Sequence, residues 1–517
     1  MTATPGRTDT AVGDAFAAGR ALFESLVDWL DGTEAAGLEH AELETQLQGK
    51  GRELLRQLTQ DHLDLRAHRE RRLDEVADTD GVARTRVETG HTRALTTVFG
   101  EVSVTRLAYR APGRANLHPA DAGLNLPVEK HSHGLRRLAA IESSRGSFDD
   151  TVAAIDRHTG VRLGKRQVEQ LAAAAAADVD DFYAQRTPPT LDSGDADAAD
   201  GSQAREPVLV VSMDGKGIVM RPDALRPATA KAAEQAATKL KTRLSKGEKR
   251  NRKRMACVGA VYHAAPVSRT PADILAPAED SGTARPAPTA VDKWLTASVT
   301  ESAADVVAKV FDEADRRDPN HRHTRIALVD GNNHQIDRIR AEADARRVDI
   351  TIAIDLIHVL EYLWKAAWCL FDEADPAAET WVRDRATAIL NGNARAVAAG
   401  IRRAATRREL STPQRAGADA CADYLVAKAE YLDYPTALRN GWPIATGVIE
   451  GACRHLVKDR LDLTGARWGL PGAEAILKLR ALHSNGDFDH YWRYHLDREH
   501  RRIHRTRYLN AEIPTAA

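Results

Sequence analysis

Val208-Leu-Val-Val-Ser-Met-Asp214-Gly is the stretch from which the fold of this chain is read. A short run of branched apolar residues with a glycine just beyond its end reads as a buried strand. Its aspartate is then displayed at the edge of a sheet. A second run, Ile326-Ala-Leu-Val-Asp330-Gly, repeats the pattern, and Ile444-Ala-Thr-Gly-Val-Ile-Glu450-Gly-Ala-Cys-Arg454 reads as the start of a helix. Two strand-end aspartates and one helical glutamate, far apart in sequence, are the equipment for gathering carboxylates around divalent metal. That points to metal-assisted phosphoryl chemistry.

The strands expected around Asp214 and Asp330 are 207–213, 217–220, 256–263, 324–329 and 348–354. Helices are expected at 302–316, 334–346 and 355–370, and again at 443–461 and 471–483. Strands in succession, then helix and strand in alternation, predict an α/β fold with a mixed sheet flanked by helices. The charged, Ala-rich residues 365–440 lack strand signals and read as an all-helical insertion. Upstream, 14–76 has helical periodicity, with Leu47, Leu54, Leu58 and Leu65 on one face, suited either to packing against the chain's own core or to dimerisation. Thr96 to Thr105 reads as a hairpin around Gly100. Ser147-Phe-Asp-Asp150 has the form of a helix cap. Two helices flanking Thr159-Gly160-Val161 have helix-turn-helix spacing, with Lys165 and Arg166 opening the second, where DNA would be read; plain helical packing is the alternative.

The resulting divisions are an N-terminal helical region at 1–80, a hairpin and helix-turn-helix-like region at 81–187, and an Asp-, Ala- and Gly-rich linker at 188–206. The α/β core follows at 207–364, the insertion at 365–440, the Glu450 helix at 441–488 and a basic tail at 489–517. A chain of 517 residues is long enough for several domains of about 150 residues. Its net charge of −1 conceals basic stretches at 231–254 and 493–507, so an anionic partner would meet patches and not a uniform field. The four cysteines are scattered without a Cys-x-x-Cys pair, which argues against a zinc knuckle or a disulfide framework and fits a reducing cytosol. No signal peptide or membrane-spanning run is read, so a soluble, cytoplasmic protein is expected.

Other residues extend the candidate site. Asp355-Leu-Ile-His358 follows an Ile- and Val-containing strand, and its i,i+3 spacing puts acid and imidazole on one helical face. The pair could position phosphate, or be a helix cap beside an unrelated histidine. Glu450, Arg454 and Lys458 step by four, either a solvated ion-pair ladder or a catalytic acid with cations aligned along a nucleic-acid backbone. Arg467-Trp468 sits in a Gly-rich turn, where Trp468 could stack on a base or be buried in a core. The basic run 239–254 includes Lys246, Lys249, Arg250, Arg252, Lys253 and Arg254, which would neutralise phosphates and make binding sensitive to salt.

Ser212-Met-Asp214-Gly, Leu328-Val-Asp330-Gly and Ile354-Asp355-Leu-Ile-His358-Val-Leu-Glu-Tyr-Leu-Trp364 together resemble the DDE transposases of bacterial insertion sequences, in the ISKra-type branch akin to the Mutator-like group. Gly447-Val-Ile-Glu450-Gly-Ala-Cys-Arg454-His-Leu-Val-Lys458-Asp-Arg460, continuing to Gly465-Ala-Arg-Trp468, is the most specific of the matching motifs. Phe99-Gly-Glu-Val and Ser147-Phe-Asp-Asp also resemble that family's N-terminal region. The resemblance implies an RNase H-like core with an all-helical insertion before the last catalytic helix. It implies Asp214, Asp330 and Glu450 as ligands of two Mg²⁺ or Mn²⁺ ions, with Asp355 and His358 as an associated pair. Some relatives carry a cysteine-based zinc module upstream; this N-terminal region has no cysteine.

The expected function is therefore a transposase that binds terminal inverted repeats, cuts double-stranded DNA and joins it to target DNA, acting as a dimer or larger assembly. A structure-selective nuclease on the same fold and a domesticated DNA-binding protein with an inert core are the alternatives.

Overall fold

A computed structural model describes residues 14–188, 206–235, 252–275, 284–463 and 465–515. They divide into two compact units. One takes residues up to Tyr183 together with those from Phe488 onward, and the other is Ala184–Asp487.

The first unit is mainly helical. Strands β1 (Arg86–Thr97) and β2 (Gly100–Arg110) form an antiparallel hairpin closed at Thr97↔Gly100. Of the leucine stripe on the His40–Arg69 helix, Leu47 is exposed and Leu54, Leu58 and Leu65 are half-buried, while the neighbouring Leu63 is buried. The helices Phe148–Thr159 and Lys165–Ala175 pack with His133–Arg145 around Leu135, Ile155, Val168 and Leu171. Ser147 and Asp150 exchange reciprocal cap hydrogen bonds at the first of the pair, satisfying two otherwise unpaired backbone donors.

The segment 489–517 is expected as a basic tail; its described residues, 489–515, are instead built into this unit. The helix Phe488–Glu499 contributes Glu499, which accepts from the buried Arg136 at 2.6 Å, and His495, which lies 2.7 Å from Asp178. Part of the basic composition there reflects internal pairing: Arg502 donates to the buried Asp178 at 2.9 Å and Arg498 to Asp181 at 2.6 Å.

The second unit is built on a five-stranded sheet ordered β5-β4-β3-β6-β7. The strands are β3 (Val208–Val219), β4 (Lys253–Ala264), β5 (Ala290–Ser298), β6 (Arg325–Val329) and β7 (Thr351–Ile354). The first three neighbours are antiparallel, and β3, β6 and β7 are parallel. The segments 207–213 and 217–220 thus form a single long strand; Gly215 and Gly217 lie within it, paired with Cys257 and Met255. Asp214 is consequently within β3, opposite Val258, and not at its end.

Helices flank the sheet. Ala303–Arg317 crosses so close to β4 that a Cβ on Gly259 would stand 2.5 Å from Val310 Cγ2. Asn333–Arg346 follows β6, and Leu356–Ala367 follows β7. Pro376–Leu390, Ala394–Arg407, Thr412–Ala427 and Tyr434–Asn440 then form an all-helical segment before the helix of Glu450. Among the described residues, no helix is long and apolar enough to cross a membrane.

Candidate metal centre

The parallel strands fix the geometry of the acids. Ser212 pairs with Leu328, and Leu328 with Ala353. Two residues further along each strand are Asp214, Asp330 and Asp355, so the three aspartates form one row across β3, β6 and β7. The ladder reaches the end of this row, since the Asp355 N–H donates to Val329 O at 2.8 Å. Side chains two apart share a face, and Val208, Val210, Ile326, Leu328 and Ala353 form one buried cluster on that face. Val448, from the Gly447–Ala452 helix, packs against the same cluster. The apolar floor thereby seats the helix of Glu450 over the face to which the row belongs.

Asp355 is fully buried. As the N-cap of Leu356–Ala367 it accepts from Ile357 N at 2.9 Å, while its other oxygen accepts from the Thr446 hydroxyl and faces His358 Nδ1 at 3.4 Å. Cap and site roles therefore coincide in one carboxylate. Asp355, His358 and Glu450 each offer a ligand atom within 4.8 Å of the others, and among the described residues this is the one group of three so disposed. Asp214, Asp330 and Glu450 do not meet that spacing, so the tightest set of donors differs from the trio expected from sequence and shares only Glu450 with it.

The electrostatics favour a cation. Burial and then the charge of Asp355 push the Glu450 carboxyl above its ordinary value; Glu361 and Asp214 add to this, and His358 opposes it. The hydrogen bond to Asp355 raises the His358 imidazole, with Asp355 and Asp330 adding attraction and burial opposing. A cation among these oxygens would relieve the crowding of like charge. The donor set of carboxylates with one imidazole suits Mn²⁺ and Zn²⁺ as well as Mg²⁺.

Several supporting residues carried no sequence signal. Cys453 Sγ, buried behind Asp214, donates to its carboxylate at 3.2 Å. Tyr424 donates to Asp330 O at 3.0 Å and stacks on Tyr362, with centroids 4.0 Å apart. Tyr434, from the helical segment, donates to Ile354 O at 3.0 Å. These contacts tie the inserted helices to the ends of β6 and β7.

The expected DNA contacts separate into outward and inward groups. Lys246, Lys249 and Arg250 lie outside the described residues. Lys253, Lys458 and Arg467 are exposed, and Arg252 is half-buried. Arg454 is exposed 3.7 Å from Asp459. Beyond Ala452 the helix passes through a π-helical turn, Cys453–Lys458, so Glu450, Arg454 and Lys458 do not keep the regular stripe that four-residue steps imply. Arg254 turns inward and donates to Val299 O at 2.8 Å.

Trp468 is also internal. It is 5% exposed, its indole donates to Leu461 O at 3.0 Å, and Arg460 lies over its ring at 4.8 Å. Its backbone extends the end of β3 through Trp468 N to Val219 O. Base stacking on Trp468 is therefore replaced by a structural role. In the other unit, Arg166 is exposed and Lys165 pairs with Asp149 at 2.7 Å. No protein-family model matches this chain, and comparison with curated proteins finds no match.

Proposed function

We propose that the chain is a DDE-type DNA transposase whose Ala184–Asp487 unit is an RNase H-like nuclease core. The observation that carries this reading is the row of Asp214, Asp330 and Asp355 on one face of the sheet, with the Glu450 helix packed on that face. The strand order, with three antiparallel neighbours continuing into a parallel pair, is compatible with that fold.

In this reading Asp214, Asp330 and Glu450 hold two Mg²⁺ or Mn²⁺ ions, and Asp355 with His358 completes or orients the same centre. Such ions, when bound, activate a water or a 3′-hydroxyl and stabilise the leaving oxygen of an in-line displacement. The chain's own contribution is placement. Buried Asp355 fixes His358 through Nδ1, Cys453 orients one oxygen of Asp214, and Tyr424 holds the backbone at Asp330. The helix pair 148–159 and 165–175 would contact the element's terminal repeats, with Lys253, Arg454, Lys458 and Arg467 available to phosphates. A dimer or larger assembly would bring two DNA ends together.

The test supplies duplexes bearing the element's ends, Mg²⁺ and target DNA, and looks for cut and joined products. Joined product is expected, and Asp214→Ala, Asp330→Ala or Glu450→Gln should abolish cutting and joining while sparing binding. Cutting without joining would make the protein a nuclease. Full activity of Asp330→Ala would remove the assignment.

A further inference from the structure

The two N-terminal helices present an apolar face that nothing among the described residues covers. The helix Ala17–Asp31 runs antiparallel along His40–Arg69: the Gly19 N–H donates to the buried Asp61 at 2.8 Å, and Lys50 lies 4.7 Å over the Trp29 ring. Leu22, Leu26 and Trp29 share one helical face and are half-buried. Gly19 alone of this helix is buried. Phe23, Val27 and Leu30 repeat the same spacing one residue later, and they are 55%, 46% and 41% exposed.

The longer helix carries a matching stripe. Leu47, Gly51 and Leu55 step by four, and both leucines are exposed. Lys50 and Asp61 mark the seam between the helices. The stripe is turned from that seam in the same rotational sense as Phe23, Val27 and Leu30 are turned from Leu22, Leu26 and Trp29. In antiparallel helices an equal turn brings both stripes to one side of the pair. Gly51 sits at the middle of its stripe. A glycine within a helix weakens it, yet no neighbour requires one here, since a Cβ would meet nothing within 4 Å. A second helix approaching closely along the stripe would require it.

We propose that this face packs against the same face of a second copy of the chain, two helices from each forming a four-helix interface about a two-fold axis. The adjoining residues 1–13 contain no Leu, Ile, Phe, Tyr or Trp, so they lack the side chains to cover it. A second copy supplies an identical stripe. At these exposures the five large side chains leave roughly 400 Å² uncovered per copy and roughly 800 Å² per pair, about half of what a specific interface buries. Leu22, Leu26, Leu54 and Leu58, half-buried beside them, extend the area. Arg52 of the longer helix donates to Arg157 O, which ties the face to the helix Phe148–Thr159. A pair would therefore carry two copies of the helices read above as contacting terminal repeats. That consequence rests on the transposase reading; the interface does not.

The experiment is sedimentation equilibrium of the full chain without DNA or metal, from about 1 to 100 μM. A monomer–dimer equilibrium with a dissociation constant at or below about 10 μM is expected. Val27→Glu and Leu55→Glu place a charge in the interface and should each weaken association at least about tenfold. Gly51→Gln favours the helix but puts a long side chain at the closest approach, and should weaken association by a similar factor. Val128→Glu, on a residue 69% exposed outside the stripe, should leave association unchanged. Retained helical circular dichroism separates lost association from misfolding.

A chain that stays monomeric throughout would overturn the proposal, because the stripe would then be covered by some other partner or by none. Unchanged association in folded Val27→Glu and Leu55→Glu, an equal loss in Val128→Glu, or indifference to Gly51→Gln would each overturn it too. If the monomeric chain cuts and joins DNA, the interface falls and the transposase reading stands. If the stripe substitutions alone abolish association but DNA is not cut, the interface stands and that reading falls.

Discussion

Asp355 separates scaffold from metal site more sharply than any other residue, because Asn can keep one role and not the other. Asn caps a helix about as well as Asp, so Asp355→Asn can still accept from Ile357 N, where the carboxylate now sits at 2.9 Å. Its amide nitrogen would take the place of the other oxygen and donate to the Thr446 hydroxyl, which can rotate to accept. A stability change within about 1 kcal/mol is expected for this variant. Asp355→Ala loses the cap, about 1 kcal/mol, and strands the buried Thr446 hydroxyl, roughly a further 1–3 kcal/mol. Urea unfolding should therefore rank unaltered protein and Asp355→Asn together, with Asp355→Ala about 2–4 kcal/mol lower.

Metal binding should rank the same proteins differently. Asn removes the negative charge from a group whose donors lie within 4.8 Å of one another. Loss of groups that only orient metal ligands costs about 10–100-fold in affinity. Mn²⁺ affinity, followed by electron paramagnetic resonance, should therefore fall at least about tenfold in Asp355→Asn as well as in Asp355→Ala. Undiminished Mn²⁺ affinity in a folded Asp355→Asn protein would refute the reasoning, leaving Asp355 as a helix cap alone.

Gly331→Ala should destabilise by roughly 1–3 kcal/mol in urea unfolding, because φ at this residue is +93° and a Cβ would sit 2.9 Å from the Tyr424 hydroxyl. Trp468→Ala should cost about 3–5 kcal/mol, as expected for a large buried aromatic, whereas Arg467→Ala should leave stability unchanged and weaken DNA binding in a salt-sensitive manner; filter binding and thermal melts distinguish the two. His263, 1% exposed, is held at about 4 by burial, below its ordinary 6.5. Its stabilising contribution is complete above the unfolded value and is lost as pH falls toward 4, because the unfolded chain takes up the proton first. The full effect is about 3 kcal/mol, and His263→Phe should flatten the stability–pH curve across that interval. Glu450, raised by burial and Asp355, should make Mn²⁺ affinity begin to fall at a higher pH than an ordinary carboxylate would; Glu450→Gln should bind weakly throughout, with no such step.

Much of the second unit is legible in local sequence, since β6, β7 and the helices that follow them have strong apolar periodicity and capping residues. Ser302 accepts from Asp305 N and Asp355 caps its own helix, close to the boundaries that the sequence predicts. The edge strand β5 escapes detection because Ala290-Val-Asp-Lys-Trp-Leu-Thr-Ala-Ser298 is half polar and follows a Pro- and Ala-rich stretch. Its pairing also shifts between Val261 and His263 of β4, so local alternation is a poor guide there. Each aspartate of the row could be read as lying on or just past a strand, yet the row itself is a property of inter-strand register. That register depends on pairing between separate segments, Leu209 with Arg325 and Ile326 with Thr351, which no local pattern specifies. The same limit applies to Cys453 and Tyr424, whose partners are 239 and 94 residues away in sequence. The inward Trp468 and Arg254 show why composition could not sort binding groups from structural ones: aromatic and cationic side chains serve either purpose until their neighbours are known.

The π-helical turn after Glu450 has a consequence for sequence change. A wide turn accommodates one residue more than an α-helical turn would, so the segments before and after it differ in angular phase. Gly447–Ala452 presents Glu450 toward the acids, while Asp459–Leu461 buries Arg460 and Leu461. Removing one residue between Cys453 and Lys458 would restore ordinary winding, with every side chain chemically intact. It would then rotate one segment against the other by about 100°, the angle per residue of a 3.6-residue turn. Either Glu450 would swing away from the acids or Leu461 would leave its core. Loops absorb single-residue deletions readily; this helix has a fixed residue count, and its length is as much a part of the site as its glutamate.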